Sequence, residues 1–248
     1  MGAKKVNIIS LSLRFIVGSL WISFWSLISI SLMIICLPFR NLRIRLGNFT
    51  GKMIGPFITR ITGTKIKYSN YHKISETKPA IYVMNHASAL DIFVGMALCP
   101  YGGCGVGKKE IVKIPFFGLV YWLSGHLLID RSNREKAISS MDNLSSFVKK
   151  NNLSIWIWPE GTRSLDGELL PFKKGFVHLA IATGLPIVPV ILHDAHKRWP
   201  AKTMDFYPGE VQVDILDPIK TEHWNKESVD YHIEKVKGLM LKTLNDKK

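Results

Sequence analysis

The sequence predicts an α/β domain, built on a mostly parallel sheet flanked by helices, that follows an N-terminal membrane segment. Two observations support this fold class. Residues 15–39 contain no charged side chain, and from about residue 64 short β-rich runs alternate with helical stretches. Strands that alternate with helices favour a parallel sheet covered on both faces. We therefore expect residues 1–63 to anchor the protein in a membrane and residues 64–248 to form the α/β domain.

Charge and cysteine content narrow the possible partners. The chain has 33 Lys and Arg against 19 Asp and Glu, a formal net charge of +14, and 47% of its residues are hydrophobic. This excess predicts an anionic partner, which can be a nucleic acid, an anionic lipid or a phosphorylated substrate. Three cysteines (Cys36, Cys99 and Cys104) cannot form a full disulfide framework. They are typical of small buried side chains in a reducing compartment.

The uncharged run 15–39 is long enough to enter a bilayer. About 25 helical residues extend over roughly 37 Å, which matches the thickness of a bilayer core. Basic residues flank both ends, with Arg14 before the run and Arg40 and Arg43 after it. The preference of basic residues for the cytoplasmic side therefore gives no orientation. A full crossing and an insertion into one leaflet both remain possible.

A second N-terminal helix is predicted over residues 42–63. Its apolar residues recur at helical spacing, at positions 46, 49, 53, 54, 57, 58 and 61. Pro56 is a potential kink. A basic amphipathic helix after an apolar one predicts a hairpin at the membrane surface. The alternative is an ordinary helix that packs on the α/β domain.

The remaining elements follow in alternating order. Strands are predicted at residues 80–84, 104–107, 126–130, 153–159, 186–192 and 211–216. Helices are predicted from Ser88, near Phe116, and at residues 134–150, 175–184 and 225–245. In sheets of this kind, binding sites form beyond the carboxyl ends of the strands.

One histidine and one aspartate stand five positions apart in "VMNHASALDIF", residues 83–93. His86 follows a predicted strand directly and so lies at its carboxyl end. The pattern "SALD" is that of a capping box with Ser88 as N-cap and Asp91 at N3, which is a purely structural explanation of the aspartate. The same helix start can bring the carboxylate back to the imidazole, fix its tautomer and leave the other nitrogen to take a proton. Spacing alone leaves both interpretations open.

Two loops and one arginine supply further candidates. The glycine-rich run 102–107, followed by Lys108 and Lys109, can offer N–H groups to an anion or oxyanion, or is a plain turn. The loop 158–175 begins where an apolar strand ends, and its polar residues include Glu160, Thr162, Arg163, Lys173 and Lys174. An arginine there suits bidentate phosphate contact, although a solvated surface pair is the alternative. Arg131 in "LLIDRSNREKA" is a weaker candidate.

Together these segments resemble the sequence blocks of the glycerophospholipid acyltransferase family. "NHASALD" resembles the family's NHx4D block, "KKEIVKIPFFG" its second block, "WPEGTRS" its third and "PIVPV" its fourth, with "IDR" between the second and third. The blocks stand in family order over about residues 80–191, and the EGTRS form is most similar to the lysophosphatidic acid acyltransferases. Two positions depart from the pattern: Trp158 replaces the usual Phe, and Ala87 stands where many members have Gln.

The resemblance implies an enzyme that moves a fatty acyl group from acyl-CoA or acyl-carrier protein to the sn-2 hydroxyl of 1-acylglycerol 3-phosphate, giving phosphatidic acid. It implies an N-terminal two-helix membrane anchor, which favours insertion into one leaflet, and we expect the active site on the cytoplasmic face. His86 would be the general base and Asp91 its partner, with no acyl-enzyme. Substrate binding would fall to Glu160, Gly161, Thr162 and Arg163, with Lys109 and Arg131 as weaker candidates.

Other functions predict different properties. The acceptor can instead be another lysophospholipid, a lyso-ornithine lipid or glycerol 3-phosphate. A nucleic-acid-binding protein predicts a soluble chain with aromatics among its basic residues, and the run 15–39 argues against it. A membrane scaffold with a degenerate site would bind lipid without turnover. No metal site is apparent, no cofactor besides the acyl donor is expected, and we predict structural roles for His126, His178, His193 and His196.

Overall fold

The computed structural model describes residues 4–130 and 134–247. Two long helices come first, α1 (Ile8–Ile35) and α2 (Arg40–Ile61). The strands are β1 (Thr64–Ser69), β2 (Ile81–Met84), β3 (Gly103–Lys108), β4 (Leu127–Ile129), β5 (Ser154–Ile157), β6 (Ile187–Leu192) and β7 (Gly209–Ile215). The later helices are α3 (Lys73–Glu76), α4 (Leu90–Leu98), α5 (Phe117–Leu123), α6 (Arg134–Asn151), α7 (Gly175–Thr183), α8 (Ala195–Arg198) and α9 (Val229–Asn245), with 3₁₀ turns at Lys109–Lys113 and Lys226–Ser228.

The seven strands of the described residues form one sheet, in the order β1-β7-β6-β2-β5-β3-β4. Strands β6, β2, β5, β3 and β4 pair in parallel. Strand β7 runs antiparallel to β6, and β1 pairs in parallel with β7 at the edge. The predicted mostly parallel α/β fold is confirmed. Strand β1 was missed because "TKIKYS" alternates lysines with few apolar residues, as suits an edge strand.

Alternate residues of each central strand face opposite layers of helices. Ile81 and Val83 of β2 belong to the core beneath α6, α7 and α9. Tyr82 and Met84 face the other way and pack with α4. The ring of Tyr82 stacks on that of Trp156 of β5, with centroids 5.5 Å apart. Since both faces are covered, the strands read as continuous apolar runs in the sequence.

Helix α2 lies between α4 and α1 and packs on both. A Cβ on Gly55 of α2 would lie 2.4 Å from the carbonyl oxygen of Phe93 in α4, so the two backbones are in close contact. On its other side, Trp21 of α1 donates from Nε1 to the Met53 carbonyl over 2.9 Å and stacks on Phe57 at 4.3 Å. Helix α2 therefore packs on the α/β domain and also pairs with α1 in a helical hairpin, and its place at a membrane surface stays a prediction. Pro56 lies inside α2 without ending it.

Helix α1 is held to the α/β domain near both of its ends. Before its first turn, Val6 donates to the Phe206 carbonyl over 3.0 Å, and the Phe15 ring lies 5.0 Å from that of Phe206. Toward its last turns, Met33 is buried against α5. Its outer face is exposed and apolar, with Ile9, Leu13, Ile16, Leu20, Phe24, Leu27 and Ile34.

Among the described residues, α1 is the helix long and apolar enough to cross a membrane by length and composition. Its most apolar window has a mean hydropathy of 1.8, and 17% of that window is buried within the protein. Helix α2 ends at Ile61 and β1 begins at Thr64, next to the expected boundary between residues 63 and 64. Ile44 of α2 nevertheless belongs to the main core of the α/β domain.

Candidate active site

Three neighbouring parallel strands end at the same edge of the sheet. Strand β5 pairs with β2 on one side and β3 on the other. The chain leaves β2 through Asn85 and His86, leaves β5 through the loop from Trp158, and leaves β3 at Lys108. This edge is where ligands bind in open α/β sheets.

The His86 side chain is bonded to Asp91 over 2.9 Å, from Nδ1 to Oδ2. The same oxygen accepts backbone N–H groups from Ala87 at 2.5 Å and Ser88 at 2.7 Å. Helix α4 begins at Leu90 rather than at the predicted Ser88, and the Ser88 hydroxyl accepts the Leu90 N–H over 3.0 Å. The carboxylate thus reaches back to the Ser88 N–H as a capping box requires, and it also contacts the imidazole.

Burial and backbone donors define the chemistry of this pair. The side chain of Asp91 is 2% exposed and that of His86 is 14% exposed. An ionised Asp91 can only accept, so Nδ1 of His86 carries the proton and donates it. Nε2 is then the ring's proton-accepting atom, which is the arrangement that a general base requires.

The loop after β5 binds the backbone of His86 on both sides. Glu160 accepts the His86 N–H at Oε1 over 2.7 Å, and Ser164 donates its N–H to the His86 carbonyl over 2.8 Å. The other oxygen of Glu160 accepts the Leu170 N–H over 3.0 Å. Burial raises the pKa of Glu160 to about 7, although the N–H groups of His86 and Leu170 act to lower it. Glu160 therefore holds the histidine in place through the main chain.

The indole ring of Trp158 packs against the imidazole of His86. Its ring centroid lies 5.3 Å from that of His86, with the planes tilted by 33°. Trp158 stands where the resembled family usually has Phe, so the position keeps an aromatic ring.

A cavity of about 340 Å³ opens beside His86. Its wall includes apolar and small residues from five helices or strands: Ser26, Gly47, Gly51, Ile54, Ile92, Gly95, Met96, Gly105, Gly107, Phe117 and Val120. Gly105 and Gly107 lie on the same face of β3, where a Cβ on either would come within 2.9 Å of the Tyr121 hydroxyl. Their lack of side chains leaves the space between β3 and the helices.

His126 and Tyr121 are among the polar side chains in the wall. His126 accepts the Gly105 N–H at Nδ1 over 3.2 Å, and burial lowers its pKa to about 4, so the ring is neutral at physiological pH. The Tyr121 ring lies 4.8 Å from that of His126. His126 was predicted to be structural; it bonds the backbone of β3 and also lines the cavity.

The predicted substrate-binding residues differ in their distance from this cavity. Gly161, Thr162 and Arg163 line it, and the described part of the chain offers Arg163 no ion-pair partner. Lys109 is exposed and pairs with Asp130 over 3.2 Å, whereas its neighbour Lys108 lines the cavity. Arg131 lies outside the described residues.

Several residues at the site were not singled out from the sequence. Asn85 donates to the Leu192 carbonyl over 3.0 Å and accepts the Leu192 N–H over 2.8 Å, which ties the end of β2 to the end of β6. Ser164 was quoted only as the end of a block, and its N–H bond to His86 has no sequence signal. Within residues 4–130 and 134–247 no group of three or more His, Cys, Asp or Glu side chains is placed to hold a metal ion.

A histidine–carboxylate pair at the mouth of an apolar cavity, on a parallel sheet, fits an enzyme that transfers acyl groups. A sequence profile of the acyltransferase family matches residues 65–193. The chain belongs to this family, and the resemblance seen in its sequence blocks is confirmed.

Named relatives are similar over most of the chain. The 1-acyl-sn-glycerol-3-phosphate acyltransferase of Limnanthes douglasii is 43% identical over 220 residues, which cover 89% of this chain and 76% of the relative. The Haemophilus influenzae enzyme of the same name is 37% identical over 167 residues, or 67% and 69% of the two chains. The crystal structure of the 1-acyl-sn-glycerophosphate acyltransferase from Thermotoga maritima shares the fold, with a TM-score of 0.73, 21% identity, and coverage of 95% and 97%.

Proposed function

We propose that this enzyme transfers a fatty acyl group from acyl-CoA or acyl-carrier protein to the sn-2 hydroxyl of 1-acylglycerol 3-phosphate, giving phosphatidic acid. The observation that carries the proposal is the His86–Asp91 pair at the mouth of a cavity that Arg163 also lines. The names of the relatives from Limnanthes douglasii and Haemophilus influenzae support this acceptor.

The reaction needs one proton acceptor and no covalent intermediate on the protein. Nε2 of His86 takes the proton of the acceptor hydroxyl while its oxygen attacks the thioester carbonyl carbon. Asp91 stabilises the imidazolium through Nδ1, at a distance of 2.9 Å. The tetrahedral intermediate collapses, the C–S bond breaks, and the imidazolium returns its proton to the departing thiolate. The backbone of the β3 end near Lys108 is our candidate for binding the oxyanion.

Two features of the site suit the two substrates. Arg163 presents its guanidinium in the cavity wall, and this is the group best shaped to bind a phosphate by two hydrogen bonds. Gly161 and Thr162 line the same part of the cavity, Glu160 would act by holding the loop, and Lys109 and Arg131 stay weaker candidates. The apolar interior of the cavity suits the acyl chain of the donor.

The N-terminal residues 1–63 serve in this proposal as a membrane anchor in one leaflet, with the active site on the cytoplasmic face. Support comes from α1, which contacts the α/β domain through Val6 and Phe15 near one end and Met33 near the other. A helix held along the side of a polar domain can present only its outer face to lipid. A perpendicular crossing would need α1 to leave these contacts.

Replacement of the proposed base is the first test. We expect His86→Ala to lower kcat roughly 10²- to 10⁴-fold, because a positioned acid–base group contributes that much to proton transfer. Turnover is measured by acyl transfer to 1-acylglycerol 3-phosphate with purified, folded protein. His178→Ala, at an exposed position on α7, is the matched control and keeps full activity. Intact turnover in folded His86→Ala protein would refute the mechanism.

The phosphate assignment has its own test. We expect Arg163→Ala to raise KM for the phosphorylated acceptor about 10- to 100-fold, since it removes charge-assisted hydrogen bonds, with little change in KM for the donor. Lys173→Ala is the control, as an exposed cation of the same loop. A panel of lysophospholipid, lyso-ornithine lipid and glycerol 3-phosphate acceptors identifies the preferred substrate. Equal effects on donor and acceptor would remove Arg163 from the phosphate site.

A further inference from the structure

We propose that residues 109–122 form a second membrane-contacting surface, which lies in the headgroup region of an anionic bilayer beside α1. This segment comprises the 3₁₀ turn Lys109–Lys113, the following loop and most of α5. Five large apolar side chains of the segment are 43–55% exposed: Val112, Ile114, Phe116, Leu119 and Trp122. The inference rests on the proposed membrane role of α1.

The inward side of the segment is already occupied by protein. Val120 and Leu123 of α5 bury Met33 of α1. Phe117 and Tyr121 face the cavity. Of the five exposed side chains, Ile114 also lines the cavity, whereas Val112, Phe116, Leu119 and Trp122 are not part of its wall. An apolar cluster of this kind marks an interaction surface.

The outer face of α1 adjoins this surface. Because α5 packs directly on Met33, the exposed side chains on either side of that contact belong to neighbouring helices. These are Leu32 and Ile34 on α1 and Leu119 and Trp122 on α5. The segment thus extends the apolar face that α1 presents to lipid.

The surface is held in a fixed shape. A Cβ on Gly118 would lie 2.4 Å from the carbonyl oxygens of Ile111 and Val112, so the 3₁₀ turn packs against the start of α5. Carbonyls at the end of α5 and just beyond it are bonded by α2, where Arg43 donates to Leu123 and Arg40 donates from Nε to Gly125 over 3.0 Å. Phe116 has a φ of +57°, which is rare for a large side chain and leaves its ring 46% exposed.

The charges around the apolar cluster favour lipid over a second protein. Two lysines of the segment, Lys109 and Lys113, stand beside the acid Glu110, and Lys109 also pairs with Asp130 over 3.2 Å. Tryptophan beside lysines and aliphatic side chains is the composition of surfaces that sit at the level of lipid headgroups. The partner is therefore a bilayer containing anionic phospholipid.

If residues 109–122 lie in the headgroup region, part of the cavity wall also lies at the bilayer surface. Ile114 is half-exposed and also lines the cavity, and Ile111 lines the cavity just before it. A lipid substrate can then pass from the membrane to the cavity along one protein element.

Depth-dependent fluorescence quenching tests the proposal. In a Cys36→Ser background, which leaves only the buried Cys99 and Cys104, single cysteines are introduced by Phe116→Cys, Leu27→Cys on α1 and Tyr231→Cys on α9. Each is labelled with an environment-sensitive dye and reconstituted into phosphatidylcholine–phosphatidylglycerol vesicles that carry nitroxide lipid. We expect severalfold stronger quenching at positions 116 and 27 than at position 231.

The outcomes separate the two proposals. Quenching at position 27 with none at position 116 overturns the second surface and leaves the α1 anchor intact. Quenching at neither position overturns both. With Lys113→Glu added, we expect weaker quenching at position 116, and unchanged quenching would overturn the role of anionic headgroups.

Activity gives a second readout that labelling cannot perturb. We expect the double variant Phe116→Ser/Trp122→Ser to raise KM severalfold for acceptor embedded in vesicles and to leave a short-chain, monomeric acceptor unaffected. The control is Tyr68→Ser/Tyr71→Ser, which removes two exposed aromatics elsewhere on the domain. Equal KM values for the two double variants on vesicles would overturn the proposal.

Discussion

At the residue scale, a single carboxylate oxygen serves structure and the proposed chemistry together. Oδ2 of Asp91 accepts the N–H groups of Ala87 and Ser88 as well as Nδ1 of His86. The backbone bonds hold the turn between β2 and α4, and the imidazole bond orients the base. The helix start and the proposed catalytic pair therefore share one arrangement, and that is why spacing alone could not choose between them.

The pKa of Glu160 leads to a prediction about pH and stability. Burial raises it from 4.5 to about 7, so the folded state binds the proton more tightly than the unfolded state. The stabilising contribution is complete below pH 4.5 and is lost as pH rises through 7. One pKa unit corresponds to about 1.4 kcal/mol, so protonation of Glu160 contributes about 3 kcal/mol to the free energy of unfolding at low pH.

Glu160→Gln removes this titration. We expect the free energy of unfolding of the unaltered protein, relative to the variant, to fall between pH 5 and pH 8. The measurement is chemical denaturation of both proteins in the same detergent at both pH values, since other titrating groups cancel in the difference. If the free energies of unfolding of the two proteins changed equally with pH, the raised pKa of Glu160 would be contradicted.

The site residues could be read from the sequence only in part. His86, Asp91 and the loop 160–163 lie in contiguous motifs, and their place after apolar strands predicted that they would meet. Lys109 was predicted as a candidate and its neighbour Lys108 lines the cavity instead. The sequence could not distinguish them, because the side-chain direction depends on where β3 ends and the 3₁₀ turn begins. The two bonds between His86 and the loop join residues more than 70 positions apart and leave no local pattern.

At the element scale, α2 packs against protein on two of its sides. It pairs with α1 through Trp21 and with α4 through Gly55. Its amphipathic spacing predicted an apolar face, but periodicity does not say whether lipid or protein covers that face. Strand β1 and the short helices α3 and α8 were missed for a related reason, because a few residues at an edge carry too weak a pattern.

The close contact of α2 with α4 predicts opposite effects for two glycine substitutions. We expect Gly55→Ala to lower the free energy of unfolding by about 1–3 kcal/mol, since its methyl group would meet the Phe93 backbone 2.4 Å away. Gly238→Ala in α9 meets nothing within 4 Å and should raise stability by about 0.5–1 kcal/mol. Chemical denaturation of both variants provides the comparison. Equal effects at the two positions would mean that α2 can move away from α4.

At the scale of the whole molecule, the cavity exists only because separate elements leave space. Its wall draws on α1, α2, α4, α5 and β3, and no single motif contains it. The sequence showed the glycines of "GGCGVG" and indicated a turn or an anion site. In the folded chain two of them, Gly105 and Gly107, make room beside Tyr121. A cavity volume depends on the distances between elements, which local sequence patterns do not contain.

Filling the cavity should change the preferred donor. Ile54 of α2 is buried and lines the cavity, so we expect Ile54→Trp to shift the preference toward shorter acyl chains. The measurement is kcat/KM for a series of donors of increasing chain length. Leu42→Trp, at an exposed position of the same helix, is the control and should leave the series unchanged. An unchanged chain-length profile for Ile54→Trp would place the acyl chain outside the cavity.

The attachment of α1 near both ends has a consequence for how the proposed enzyme would meet its substrate. A helix tied to Phe206 at one end and to α5 at the other cannot pivot relative to the sheet. For a protein immersed in lipid by that helix, the height of His86 above the bilayer surface is a constant of the fold. An acceptor lipid would have to rise by a fixed amount to bring its hydroxyl to the base, whatever the length of its own acyl chain.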